Sequence, residues 1–485
     1  MLLPVLAMML ASTSPSEPSL SLPVCNGVEP TAGTQPPSIV SALQMSEAWF
    51  QASKTANDAD FIALIKNRGP KILGDPTKWL EMRSFLSNLQ LCGVRSVDSN
   101  NLNLWVFDKN ADSFAVTMLK LSATISEKPE FVGAYLTDEA PPGYVRPEPL
   151  TSRMLVKAVQ ERVGGKTAKD QFSGAVLISH SGRILFQKAY GLADRANHKP
   201  NTLDTQFRFG SMGKMFTAVA IMQLAQDNKI DLNAPIGRYL IGYPNSDVAT
   251  KVTVAHLLTH TGGTGDIFGP EFDKQKSSLR NLKDYVALYG SRALDFDPGS
   301  RASYSNYGFI LLGRIVETVS GLSYDEYTRR YVFTPAGMTS TGNDPESSVL
   351  PRRAVSYMGS GNKISRADDT LPLSGTSAGG GYSTVGDFNR FVDALTSDRL
   401  LRHETFQKLK DGGLKISDGH FTPFDFGGSM AGIGSFIGHG GGAPGMSGSL
   451  FHFLQNGYTI VVLANRDPGT AESISNFTAH RLPAN

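Results

Sequence analysis

The stretch from Phe207 to Leu224 restricts the fold of the chain more than any other. After Gly210 it is rich in Met, Phe, Ala, Ile and Leu and contains no proline, which predicts a helix from about Met212 to Gln226. That helix is apolar nearly all round, so it needs neighbours on every side and belongs inside a large core. Ser211 falls in its first turn and Lys214 three positions later, placing both side chains on one face within reach of each other. The arrangement is S-x-x-K. A serine hydroxyl becomes a good nucleophile when a base takes its proton, and a lysine becomes that base when its own pKa is lowered. Burial and the positive end of a helix dipole both disfavour the ammonium form. The same helix start offers the Ser211 N–H to a developing oxyanion. By chance alone the four letters would mark a capped helix start with a solvated lysine, but a lysine inside an apolar helix carries a desolvation cost that asks for a purpose.

The remaining bounds come from composition. The chain has 485 residues, 46 Lys+Arg against 44 Asp+Glu, and a formal net charge of +2. This is length enough for two or three domains around a large core, with no basic run or aromatic-basic interleaving to suggest nucleic acid. Two cysteines, Cys25 and Cys92, allow one bridge at most. Met1 to Ala11 is apolar but too short to span a bilayer, and a Ser/Pro-rich spacer follows it to Pro37. The pair reads as a secretory signal and its spacer, which predicts export, although no Lys or Arg precedes the apolar run.

Residues 38–140 predict a small α+β domain. Ile39, Val40, Leu43, Trp49 and Phe50 recur at helical spacing, and Asp75-Pro76 opens a second helix expected to run through Leu89 and stop near Gly93. Four strands follow, at about 94–97, 102–107, 114–121 and 131–137. Helices followed by an antiparallel sheet resemble the nuclear-transport-factor-2-like cone fold. No catalytic constellation is visible in this domain, and the Pro-rich segment 141–150 is the predicted linker to a domain spanning 151–485. There, a helix from Ser152 to Val163 precedes a hairpin turned at Ser181-Gly182, and a second hairpin near the other end turns at Asn456-Gly457. The two hairpins are expected to join in one antiparallel sheet, with the helical segments between them forming a second lobe.

Two further segments complement Ser211. Tyr304 and Asn306 lie just ahead of an apolar helix, Phe309 to Val319, where a phenol could shuttle a proton and an amide could hold a substrate carbonyl. Far downstream, Gly438-His439-Gly440-Gly441-Gly442 offers glycines that let a ligand approach a strand edge and a backbone N–H as second oxyanion donor. S-x-x-K, Y-x-N and H-x-G in this order resemble the serine β-lactamase and penicillin-binding-protein superfamily. The resemblance is to its class C-like branch, with family VIII carboxylesterases, D-aminopeptidases and DD-peptidases. It extends over about Arg153 to Phe477 and includes Tyr190-Gly-Leu-Ala-Asp194, His256-Leu-Leu-Thr-His-Thr-Gly-Gly263, Phe296-Asp-Pro-Gly-Ser300 and Ser377-Ala-Gly-Gly-Gly-Tyr-Ser383.

The resemblance implies a β-lactamase/transpeptidase-like α+β fold, an antiparallel sheet with a helical lobe. It further implies Ser211 as nucleophile, Lys214 and Tyr304 as a coupled acid/base pair, and Asn306, His439, Gly441 and Gly442 as substrate and oxyanion contacts, with Ser211 and Gly442 giving the two N–H groups. No cofactor or metal is expected; the expected partner is a small-molecule or peptidyl acyl substrate. The departure is His439, standing where the lactamases and peptidases carry a lysine. A histidine is mostly neutral near pH 7, and neutral hydrogen bonds contribute about 0.5–1.5 kcal/mol against about 1.5–3 for charged ones. Esters or amides lacking a carboxylate therefore suit the sequence better than β-lactams. Three other readings are open. Gly375-Thr-Ser377-Ala-Gly379 matches the G-x-S-x-G elbow of α/β-hydrolases, but the glycine-rich oxyanion segment would then be on the wrong side of the nucleophile. His256 and His260 sit at i and i+4 without the Glu of H-E-x-x-H. A non-catalytic penicillin-binding or cell-wall-sensing protein would be expected to lack a member of the triad, and all are present.

Overall fold

The computed structural model describes residues 47–48, 51–68, 89–98, 101–108, 117–123, 131–138 and 147–483, apart from 360, 362–363, 368–371, 418, 420 and 431. The signal-like segment and the spacer lie outside these residues. The chain divides into two compact units, the first ending at Val145 and the second beginning at Arg146.

In the first unit, helix α1 (Asp58–Arg68) precedes two antiparallel hairpins, β1 (Leu89–Asp98) with β2 (Asn101–Asp108), and β3 (Thr117–Ala123) with β4 (Phe131–Asp138). Most of the helix expected from Asp75 lies outside the described residues. Its expected end does not: Leu89 to Gly93 is strand, with Leu89 opposite Asp108 and Leu91 opposite Val106. Alternation of Leu89 and Leu91 is the period of a strand, and a bulge at Cys92 brings Gly93 opposite Trp105.

The second unit is built on a six-stranded antiparallel sheet. Its strands are β5 (Gly174–His180), β6 (Arg183–Tyr190), β7 (Gly427–Met430), β8 (Gly434–Ala443), β9 (Met446–Phe453) and β10 (Tyr458–Ala464), in the order β7-β8-β9-β10-β5-β6. The β5–β6 turn needs left-handed backbone at both central residues, and Ser181 (φ 48°) and Gly182 (φ 78°) supply it. Across the centre of the sheet β5 pairs with β10, Gly174 opposite Ala464 and His180 opposite Tyr458, which joins the first and last hairpins as expected.

Both faces of that centre are covered. Val176, Ile178, Ile460 and Val462 point to one side, where helices α2 (Ser152–Ala168) and α6 (Thr470–Ala479) supply Leu155, Val159, Val163, Ile474 and Phe477. Ala175, Leu177, Val461 and Leu463 point to the other side, into the helical lobe. This is why the strands read as continuous apolar runs instead of alternating ones. In the lobe, α3 (Lys214–Gln226) lies against α4 (Asn306–Ser320), with α5 (Val385–Thr396) bringing Phe388 and Phe391 onto Phe216. Every residue of α3 from Lys214 to Met222 is buried, as its all-round apolar pattern requires.

Candidate active site

The α-helix starts at Lys214, two residues later than expected, and Ser211 sits in a one-turn 3-10 helix, Gly210–Gly213, that leads into it. Three residues per turn make positions i and i+3 eclipse, so Lys214 is brought directly beneath Ser211. Gly210 is left-handed (φ 55°), and a side chain there would lie 3.1 Å from the Gly442 nitrogen. Turn and strand β8 are thus in close apposition. A Cβ on Gly441 would come 2.0 Å from the Phe209 carbonyl oxygen.

Lys214 has no exposed surface. Its Nζ donates to Asn306 Oδ1 at 2.7 Å and to the Ala378 carbonyl at 2.5 Å, and lies 3.3 Å from Ser211 Oγ. Burial lowers its pKa to about 8 even though the nearby Asp425 and Asp266 carboxylates favour the ammonium. Tyr304 donates its hydroxyl to Ser211 Oγ at 2.8 Å. The protein atoms crowded around that hydroxyl hold the phenol well above its usual range, and Asp425 and Asp266 push the same way, although the residue as a whole is 43% exposed. Of the two groups beside Ser211, the lysine gives up its proton first.

Asn306 is buried and committed on both sides of its amide. Its Oδ1 accepts from Lys214, while its Nδ2 donates to Asp266 Oδ2 at 3.1 Å and its backbone N–H to Asp266 Oδ1 at 3.2 Å. Asp266 thereby fixes the amide orientation that presents oxygen to the lysine. Burial raises the Asp266 pKa, against the pull of the Ile267 and Asn306 hydrogen bonds.

His439 does not stand as the free imidazole expected from the sequence. One ring nitrogen, Nδ1, bonds the Gly440 carbonyl, and Nε2 lies 2.9 Å from Asp425 Oδ2. The same carboxylate oxygen is 2.9 Å from His260 Nε2. His260 accepts the Ser305 N–H on Nδ1 and packs its ring 4.5 Å from that of Tyr304. His256 is used elsewhere, since its Nδ1 accepts the Thr253 N–H and caps helix Val254–Leu258. Asp425, Asp266 and the Ala378 carbonyl carried no sequence signal of their own. Ser377-Ala378-Gly379 was visible as a stretch, yet its place beside Ser211 and Lys214 was not. A Cβ on Gly379 would lie 3.0 Å from Ser211 N, so glycine is there for contact and not for an elbow. Ser377 itself is fully buried, with its side chain against Gly313.

Residues 156–485 match the family described as Beta-lactamase. The chain belongs to that family. Among its relatives is Penicillin-binding protein 4* of Bacillus subtilis (strain 168), 27% identical over 62% of this chain and 70% of the relative. Esterase EstB of Burkholderia gladioli is 33% identical over 37% of this chain and 50% of its own length. The crystal structure of a penicillin-binding protein from Bacillus halodurans superposes with a TM-score of 0.58 at 30% identity, covering 66% of this chain and 97% of that one. The residues matched by the family lie in the second unit.

Proposed function

We propose that the second unit hydrolyses esters or amides through an acyl-enzyme on Ser211, with preference for acyl groups that carry no free carboxylate. The chain is a serine hydrolase, and the observation that carries the mechanism is the surroundings of Lys214 Nζ. Two of its positions are spent as donors to Asn306 and Ala378, so in the neutral amine the lone pair is what remains for the Ser211 proton. Lys214 takes that proton as Oγ bonds to the substrate carbonyl carbon. The carbonyl oxygen becomes an oxyanion between the N–H groups of Ser211 and Gly442. Collapse of the tetrahedral adduct breaks the bond to the leaving group, which receives the Tyr304 hydroxyl proton; the phenolate is restored from the Lys214 ammonium. Water then repeats the sequence and releases the acid.

Both nitrogens of His439 are already hydrogen-bonded within the protein, which supports substrates that ask nothing of it and leaves β-lactams as weak ones. A penicillin-binding relative and an esterase relative are consistent with either class of acyl group. Penicillin-binding relatives also support export of this chain. The test is labelling with a fluorophosphonate, followed by turnover of p-nitrophenyl acetate and a chromogenic β-lactam. Ser211→Ala is expected to abolish labelling and Ser377→Ala to preserve it, with the ester turned over faster than the β-lactam. Labelling that follows Ser377 would overturn the assignment, and acylation of Ser211 without turnover of any ester or amide would make the protein a binder.

A further inference from the structure

Two imidazoles meet at Asp425, and the partners of each ring differ. His260 accepts a backbone N–H at Nδ1, so that nitrogen has no proton, and its Nε2–H donates to Asp425 Oδ2. Accepting on one nitrogen and donating from the other is the hydrogen-bond pattern of a neutral imidazole. His439 faces acceptors on both sides: the Gly440 carbonyl accepts from Nδ1, and the Asp425 carboxylate accepts from Nε2. Two acceptors facing one ring is the hydrogen-bond pattern of an imidazolium.

The carboxylate is ionised. Desolvation alone would raise it, but His439 and His260 outweigh that and hold it well below the usual range. The trio also links two elements beside Ser211. His260 follows helix Val254–Leu258 and holds the Ser305 N–H next to Tyr304, whereas His439 belongs to β8, two residues before Gly441, the first of the glycines that approach the Ser211 turn.

We propose that Asp425 is a positioning residue that ties the Tyr304 loop to strand β8 through two imidazoles, His260 held neutral and His439 held as an imidazolium. Carboxylate and imidazolium cancel, so a cation occupies the H-x-G position without presenting net charge to the substrate. The cancellation matters for the base as well. Asp425 is faced by His260 and His439, and its charge acts on Lys214 from α3 and on Tyr304; Asp266 acts on the same two. A carboxylate left without its imidazolium would strengthen the hold on the Lys214 proton and keep the base unavailable to higher pH.

This proposal rests on the acyl-enzyme reading, and three measurements on the full chain separate the two. Imidazole nitrogen-15 spectra at pH 7 should show two N–H groups on His439 and one on His260, with His439 falling to one in Asp425→Asn. In the pH profile of kcat/KM for p-nitrophenyl acetate, His439→Gln keeps a donor to Asp425 but not the charge. Its acid limb should move to higher pH by on the order of half a unit or more. Asp425→Asn removes carboxylate and imidazolium together, so its limb should stay in place or move lower while kcat falls about tenfold or more. If Asp425→Asn does not fold, the wild-type spectrum and the His439→Gln profile still decide. A single N–H on wild-type His439, or a limb that fails to rise in His439→Gln, overturns the proposal. Fluorophosphonate labelling of Ser211 retained in those samples places the failure on Asp425 and not on the hydrolase assignment.

Discussion

An ammonium group with no exposed surface destabilises the state that encloses it, and Lys214 is in that position. Its pKa falls from 10.5 to about 8 on folding. Below pH 8 the lysine is charged in both states and the whole penalty is present; it is relieved as pH rises from 8 towards 10.5, where the unfolded chain also loses its proton. The difference corresponds to roughly 3 kcal/mol at neutral pH. Lys214→Met is therefore expected to raise the thermal midpoint at pH 7, with the gain shrinking by pH 10, while turnover is lost; calorimetry at the two pH values checks it. In the unmodified enzyme kcat/KM for a neutral ester should rise with pH through about 8, as the free amine appears. The contact of Lys214 with Ser211 was legible in the sequence because the spacing of S-x-x-K is itself the geometry, while Tyr304 was singled out by its motif and reaches Ser211 only through the fold. Asp425 and Asp266 were not legible. Each reaches the site only through tertiary contact, and an isolated aspartate in Phe424-Asp-Phe or Gly265-Asp-Ile looks like any loop residue.

Among the elements, β8 has the least freedom. Gly440 and Gly441 are neighbours on it, but a Cβ at Gly440 meets nothing nearer than the Gly448 carbonyl oxygen at 3.9 Å, while one at Gly441 would lie 2.0 Å from the Phe209 carbonyl oxygen. Gly440→Ala should leave kcat within about threefold of the parent. Gly441→Ala should push the strand off the Ser211 turn and lower kcat by about 10² or more, because the Gly442 N–H, proposed as second oxyanion donor, moves with it. Steady-state kinetics of the two variants, with circular dichroism to verify folding, makes the comparison. If both variants behave alike, the strand does not depend on that contact. The glycine run was readable as a close approach, and the two hairpins were readable from Ser181-Gly182 and Asn456-Gly457, since turn chemistry is local. The 3-10 turn at Ser211 was not, because it arises from the packing of Gly210, Gly379 and Gly441 around it.

For the molecule as a whole, the reading of the first unit as a separate domain without chemistry of its own leads to a direct expectation. Residues 146–485 expressed alone should fold and turn over p-nitrophenyl acetate at a rate near that of the full chain; a soluble, folded and inactive product would mean that the first unit completes the site. In the sequence the prolines of 141–150 are what suggest the boundary, whereas the strands before it were visible but not their pairing partners. The sheet order of the second unit shapes its life before it is an enzyme. Strands β5 and β10 are neighbours in the centre of the sheet, although nearly all of the unit lies between them in sequence, and Leu150 donates its N–H to the Arg481 carbonyl at 3.1 Å. A nascent chain on the ribosome already carries the serine, the lysine and the tyrosine long before β10 is synthesised. Until that strand arrives, β5 exposes an apolar edge, the buried helix has no roof, and closing the sheet must wait for a contact of very high sequence separation. The interval is when the protein is most open to aggregation and most in need of chaperones, and it makes activity an all-or-none property of complete synthesis.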